Sequence, residues 1–77
     1  MLKQNLSAEI ELFGHRPLAI KITNGVLELF YGQLQIWRES IEGSDSFFGI
    51  ESCDAIARII VCIDNRDDTW HKYKYIE

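Results

Sequence analysis

Residues 18–31 read Leu18-Ala19-Ile20-Lys21-Ile22-Thr23-Asn24-Gly25-Val26-Leu27-Glu28-Leu29-Phe30-Tyr31. Two alternating apolar runs are joined by Asn-Gly, the dipeptide that most readily takes the positive φ angles of a type I′ turn. A two-residue hairpin then sets Thr23 opposite Val26, Ile22 opposite Leu27, Lys21 opposite Glu28 and Ile20 opposite Leu29. One face carries Leu18, Ile20, Ile22, Leu27, Leu29 and Tyr31; the other carries Ala19, Lys21, Thr23, Val26, Glu28 and Phe30. Lys21 beside Glu28 is a favourable cross-strand pair, and a slip of one residue would turn the whole apolar set outward.

The alternation continues on both sides. Upstream, Ala8-Glu9-Ile10-Glu11-Leu12-Phe13 reads as a strand, with Gly14-His15-Arg16 as its loop and Pro17 suited to a strand's first residue. The expected pairing is Leu12 with Leu18, Ile10 with Ile20 and Glu9 with Lys21. Downstream, Tyr31-Gly32 turns the chain into Gln33-Leu34-Gln35-Ile36-Trp37-Arg38-Glu39. Leu34 and Ile36 then lie beside Leu29 and Leu27, and Trp37 falls on the other face near Val26.

A sheet with one apolar face needs a cover. The segment from Ser52 to Asn65 supplies it: Ser52 is a plausible N-cap, Asp54 suits a helix N-terminus, and Cys53, Ile56, Ala57, Ile60 and Ile63 recur at helical spacing. The run Ile59-Ile60-Val61-Cys62-Ile63 is also compatible with a buried strand, but without a helix the sheet has no lid. The tail Thr69-Trp70-His71-Lys72-Tyr73-Lys74-Tyr75-Ile76-Glu77 alternates and is expected to form a fifth strand, with a short helical extension as the alternative. The predicted fold is therefore α+β: a four-stranded antiparallel meander packed on one helix, with a C-terminal strand (β-β-β-β-α-β), in one domain spanning residues 1–77.

Seventy-seven residues at 47% apolar content suffice for a core, although a chain this short buries only roughly 60–65% of its unfolded surface. A net charge of −4 argues against a general nucleic-acid binder, which needs a basic face to displace counterions from phosphates. The first residues, Met1-Leu2-Lys3-Gln4-Asn5-Leu6, turn polar too soon for a secretory signal. The longest apolar run, Ile59 to Ile63, is far too short to span a bilayer. If Cys53 and Cys62 lie on one helix, their nine-residue spacing points them to opposite sides, so they cannot bond to each other. A cytoplasmic protein is expected.

No motif names a reaction. His15, His71, Cys53 and Cys62 lack the close pairing of zinc ligands, and there is no Cys-x-x-Cys, nucleophile elbow or Walker-type loop. Neither metal, cofactor nor catalysis is expected. The residues that ask for a reason are aromatic. Val26, Phe30 and Trp37 share the outer face, and Phe47-Phe48 sits in the irregular stretch Ser40 to Glu51. The ordinary alternatives are that the tail or that loop covers the first set and that one phenylalanine plugs the core.

The leading expectation is a small protein-binding module that regulates or inhibits a larger protein through Phe30, Trp37, Phe47 and Phe48. The alternative is an acidic inhibitor of the phage type, imitating nucleic acid on a nucleic-acid-binding or host-defence nuclease complex through Glu39, Glu42, Asp45, Asp64, Asp67 and Asp68. Direct binding of single strands by Trp70, Lys72 and Lys74 is a third option, set against the net charge. A homodimer through an uncovered sheet edge or aromatic face is also compatible with the pattern.

Overall fold

Asn24 and Gly25 both take positive φ, 51° and 78°, and the strands they join pair in the register their turn chemistry demands, Thr23 with Val26 through Ile20 with Leu29. The computed structural model of the chain describes residues 5–41 and 50–73. In order it runs β1 (Leu6–Ile10), β2 (Leu18–Thr23), β3 (Val26–Tyr31), β4 (Leu34–Ser40), α1 (Ile50–Asp64) and a short 3-10 helix (Asp68–Lys72). The four strands form one antiparallel sheet in the order β1-β2-β3-β4. The fold is α+β, a meander with one covering helix.

The edge strands depart from simple alternation. β1 pairs Ile10 with Leu18, Ala8 with Ile20 and Leu6 with Ile22, two residues away from the expected register. The shift is even, so each side chain keeps its face, but Ser7 rather than Glu9 lies opposite Lys21. The cause is local: the Leu12 carbonyl accepts from the His15 amide at 2.9 Å, so the chain turns at Leu12, which leaves the strand and packs against the core.

At the other edge the turn residues are Gly32 and Gln33, with Tyr31 opposite Leu34 and Phe30 opposite Gln35. A β-bulge then follows, after which Leu29 faces Trp37 and Val26 faces Ser40. The extra residue lets Ile36 and Trp37 both turn inward, and they are 0% and 1% exposed. The expected outward position of Trp37 near Val26 is therefore corrected. Alternation alone would leave an indole in water; one bulge buries it, and its Nε1–H donates to Glu39 Oε1 at 2.7 Å.

α1 packs on the inner face through Ala55, Ile56, Ile59 and Ile63, which join Ile22, Leu27, Leu29, Tyr31, Ile36, Trp37, Ile41 and Trp70 in one core. Its buried stripe is rotated from the expected one: Ile59 is fully buried, whereas Cys53 and Ala57 are exposed. The helix also starts earlier than the Ser52 cap implied, so Ser52 lies within it. It ends in a Schellman motif: the Asp67 amide donates to the Cys62 carbonyl at 2.8 Å, the Arg66 amide donates to the Ile63 carbonyl at 3.0 Å, and Arg66 takes φ 59°.

Where the tail was expected to continue as a strand, residues 68–72 form the 3-10 helix instead. Asp67 caps it by accepting from the Thr69 amide at 2.9 Å, and the turn drives Trp70 into the core at 5% exposure. Residues 74–77, the remainder of the expected strand, lie outside the described residues. Among the described residues, no helix is long and apolar enough to cross a membrane. Cys53 is exposed, Cys62 half-buried, and both are free thiols.

Candidate functional site

The inner face divides into a covered half and an uncovered half. Three rows of paired residues cross the sheet from β1 to β4: Leu6-Ile22-Leu27-Glu39, Ala8-Ile20-Leu29-Trp37 and Ile10-Leu18-Tyr31-Leu34. From β3 toward β1 burial falls along each row, while at the β4 end Leu34 is 39% exposed. Leu27, Leu29 and Tyr31 are at most 1% exposed, Ile20 and Leu18 are half-buried, and Leu6 and Ile10 are 50% and 44% exposed. The reason is width. An α-helix about 10 Å across covers roughly two strands spaced about 4.8 Å apart, and α1 lies toward the β4 side of the sheet.

β1 therefore presents Leu6, Ala8 and Ile10 to solvent on the apolar face. Phe13, just beyond its end, is fully exposed. Together these side chains expose on the order of 300 Å² of apolar surface, comparable to the largest apolar patch on a typical monomer, which is often functional.

A polar cluster closes the same end of the sheet. The Tyr31 hydroxyl, buried on β3, donates to Asp64 Oδ1 at 2.6 Å. His15 Nδ1 donates to Asp64 Oδ2 at 2.7 Å and lies 3.3 Å from the same hydroxyl. The Arg16 amide also donates to that hydroxyl at 3.3 Å, and the Arg16 guanidinium sits 5.5 Å from the Tyr31 ring centre. Its side chain also crosses Gly32, where a Cβ would come within 3.1 Å of Arg16 Cδ.

Asp64 ends α1, where a carboxylate opposes the helix dipole. Its bond from Tyr31 lowers its pKa, with His15 contributing further, while burial followed by the bond to Asp64 raises that of Tyr31. The cluster thus ties the 13–16 loop and β3 to the end of the helix, and fixes where the loop leaves Phe13. A shallow depression of about 260 Å³ lined by Glu9, Glu11, Leu12, His15 and Pro17 lies beside it.

Of the sequence-derived candidates among the described residues, Asp64 belongs to this cluster, whereas Phe30 and Trp37 lie elsewhere. Phe30 is half-buried on the outer face between Ala19 and Gln35, and Trp37 is in the core. Phe47 and Phe48 lie outside the described residues, as do Glu42 and Asp45. Of the acidic set, Glu39 accepts from Trp37, Asp64 from Tyr31 and His15, and Asp67 from Thr69; Asp68 is exposed. Three of these four carboxylates have partners within the fold rather than forming a free array. Trp70 is buried, so its ring is not presented for base stacking, and Lys74 lies outside the described residues. Among the described residues, no three His, Cys, Asp or Glu side chains gather in a way that could hold a metal.

Sequence reasoning missed Leu6, Ile10, Phe13, His15 and Tyr31. Two signals point to them: an aspartate at a helix C-terminus needs compensating donors, and Phe13 ends an alternating run with no partner assigned to it. No family model, curated protein or solved structure matches the chain.

Proposed function

We propose that this chain is a protein-binding module with no catalysis of its own, which regulates or inhibits a larger protein by docking through the β1 side of its inner sheet face. The observation that carries the reading is the half-uncovered apolar face. Leu6 and Ile10 are about half exposed on the same face whose other half forms the core, and Phe13, in the loop after β1, stands wholly in solvent. Apolar surface left in water contributes roughly 25 cal/mol per Å² when a partner covers it. The residues proposed for contact are Leu6, Ala8, Ile10 and Phe13. The outer-face Phe30 is half-buried among its neighbours and offers a smaller anchor.

Affinity capture from the native host tests this with two variants. Leu6→Ser combined with Ile10→Ser removes the apolar stripe without touching the core, whereas Phe30→Ala alters the opposite face. The captured partner is expected to disappear with the first variant and persist with the second. Retention of the partner by the Leu6/Ile10 variant would contradict the reading. Since burial of apolar side chains leads this contact, raising the salt concentration is expected to change affinity little; a charge-led acidic inhibitor would instead lose it steeply.

A further inference from the structure

We propose that β1 pairs antiparallel with β1 of a second copy about a twofold axis at Ala8, joining two four-stranded sheets into one of eight strands. The proposal rests on the reading of the β1 side as the contact surface and names its first occupant.

The hydrogen-bond phase of the sheet makes the edge available. Thr23 and Val26 flank the two-residue turn and form a hydrogen-bonded pair, and the Gly32 amide donating to the Pro17 carbonyl at 2.8 Å keeps the same phase at the far end of the hairpin. The odd-numbered residues of β2 therefore bond to β3. Leu18, Ile20 and Ile22 turn toward β1, where they meet Ile10, Ala8 and Leu6. The peptide groups of Ser7 and Glu9 consequently point away from the sheet, and among the described residues β1 is its outermost strand.

The sequence of β1 is self-complementary about its centre. Antiparallel pairing at Ala8 sets Ser7 opposite Glu9 of the second copy, twice, giving four backbone hydrogen bonds with Ala8 facing Ala8 as the close, non-bonded pair. Leu6 meets Ile10 of the second copy on the inner face, again twice, and these are the two half-exposed residues of the strand. The outer face supplies charge complementarity. Arg38, Glu28, Lys21 and Ser7 form one row across the sheet, which the pairing extends with Glu9 of the second copy. Signs alternate along it, and no like charges fall directly opposite one another.

The two sheet edges are also protected unequally. β4 carries the bulge and an exposed Arg38, features that discourage edge pairing. β1 is short and carries the charged Glu9, which enters the pairing itself, but it has no lysine, arginine, proline or register shift. A five-residue strand buries less than a standard interface, so the expected dissociation constant is on the order of 10–100 µM. Pairing leaves the top of the inner face open. The uncovered halves of the two copies then make one continuous apolar floor for the larger partner.

Sedimentation equilibrium of the full chain from about 5 to about 500 µM tests the pairing. The expected mass rises from 9.0 kDa toward twice that value. Ser7→Pro removes an outward N–H and leaves the β1–β2 bonds intact, whereas Ala8→Lys places two ammonium groups at the axis on an exposed position. Both variants are expected to remain at 9.0 kDa at the highest concentration. Circular dichroism checks that each is folded, and Ala8→Lys decides if proline disturbs the strand. A wild type that stays monomeric throughout overturns self-pairing, as does a dimer that Ala8→Lys leaves intact. Loss of partner capture by the Leu6/Ile10 variant alongside a monomeric wild type would sink this proposal alone and leave the docking face standing.

Discussion

Replacing Trp37 tests the bulge that turns β4 inward. The indole is 1% exposed, faces Leu29 across the sheet, and donates to Glu39 at 2.7 Å. Truncation to alanine removes a fully buried aromatic and leaves a cavity that the sheet fills only in part, a loss of about 3–5 kcal/mol. A domain of this length holds only about 4–12 kcal/mol in total, so Trp37→Ala is expected to fold marginally at best. Trp37→Phe keeps most of the buried area and gives up the bond to Glu39, for a smaller loss of about 1–2 kcal/mol. Phe30→Ala, at a half-buried position on the outer face, is expected to cost about 1 kcal/mol. Urea unfolding followed by far-ultraviolet circular dichroism measures all three on one scale, with an unchanged slope confirming that only stability has moved. If the strand alternated without a bulge, Trp37 would lie outside and the order would invert. A Trp37→Ala variant that loses less than Phe30→Ala refutes the placement.

Two further substitutions probe the end of α1. Arg66 holds φ 59° at the Schellman position, a conformation that costs a residue with a Cβ about 1–2 kcal/mol, so Arg66→Gly is expected to raise the unfolding midpoint by the equivalent of about 1 kcal/mol. A lowered midpoint would show that the arginine side chain contributes more than its backbone strain removes. Tyr31→Phe takes the hydroxyl from Asp64 and is expected to cost about 1 kcal/mol, a modest value because a third of the Asp64 side chain is in solvent. The pH dependence follows from both shifts. The lowered pKa of Asp64 gives stability that is present above its ordinary 3.8 and lost as pH falls through the folded value; the raised pKa of Tyr31 gives stability present below 10.0 and lost as pH rises through its folded value. Thermal melts of Tyr31→Phe are therefore expected to show a weaker acid limb and a weaker alkaline limb, and a profile identical to the wild type would count against the cluster.

The parts of the fold legible in the sequence are those that local chemistry decides. Asn24-Gly25 specifies its own turn, and the turn specifies every pair of β2 and β3, including Lys21 with Glu28. The covering helix was legible from periodicity, yet Ile56, Ile59, Ile60 and Ile63 fit two overlapping stripes, and only packing against the sheet selects the one that buries Ile59. The bulge was not legible, because it arises from a competition between regular alternation and burial of an indole, and nothing within residues 34–40 states which wins. Gly14-His15-Arg16 carries no turn code as strong as Asn-Gly, so the register of β1 moved by two. The tail alternates like a strand, but the Asp67 cap and the burial of Trp70 override that pattern. The candidate site was hidden for two reasons. Its polar cluster joins His15 to Asp64 across 49 positions, and the exposure of Leu6 and Ile10 depends on how many strands one helix can cover.

The central claim is that the β1 side of the inner face is where this protein meets another. Amide hydrogen exchange of the full chain, resolved by residue and repeated across concentration, tests it most directly. The Ser7 and Glu9 amides, which point outward, are expected to exchange quickly in dilute solution and to slow as the concentration rises. The Leu6, Ala8 and Ile10 amides, bonded to β2, are expected to be protected throughout. Fast exchange at Ser7 and Glu9 under every condition, with protection appearing on another face when the partner binds, would contradict the account.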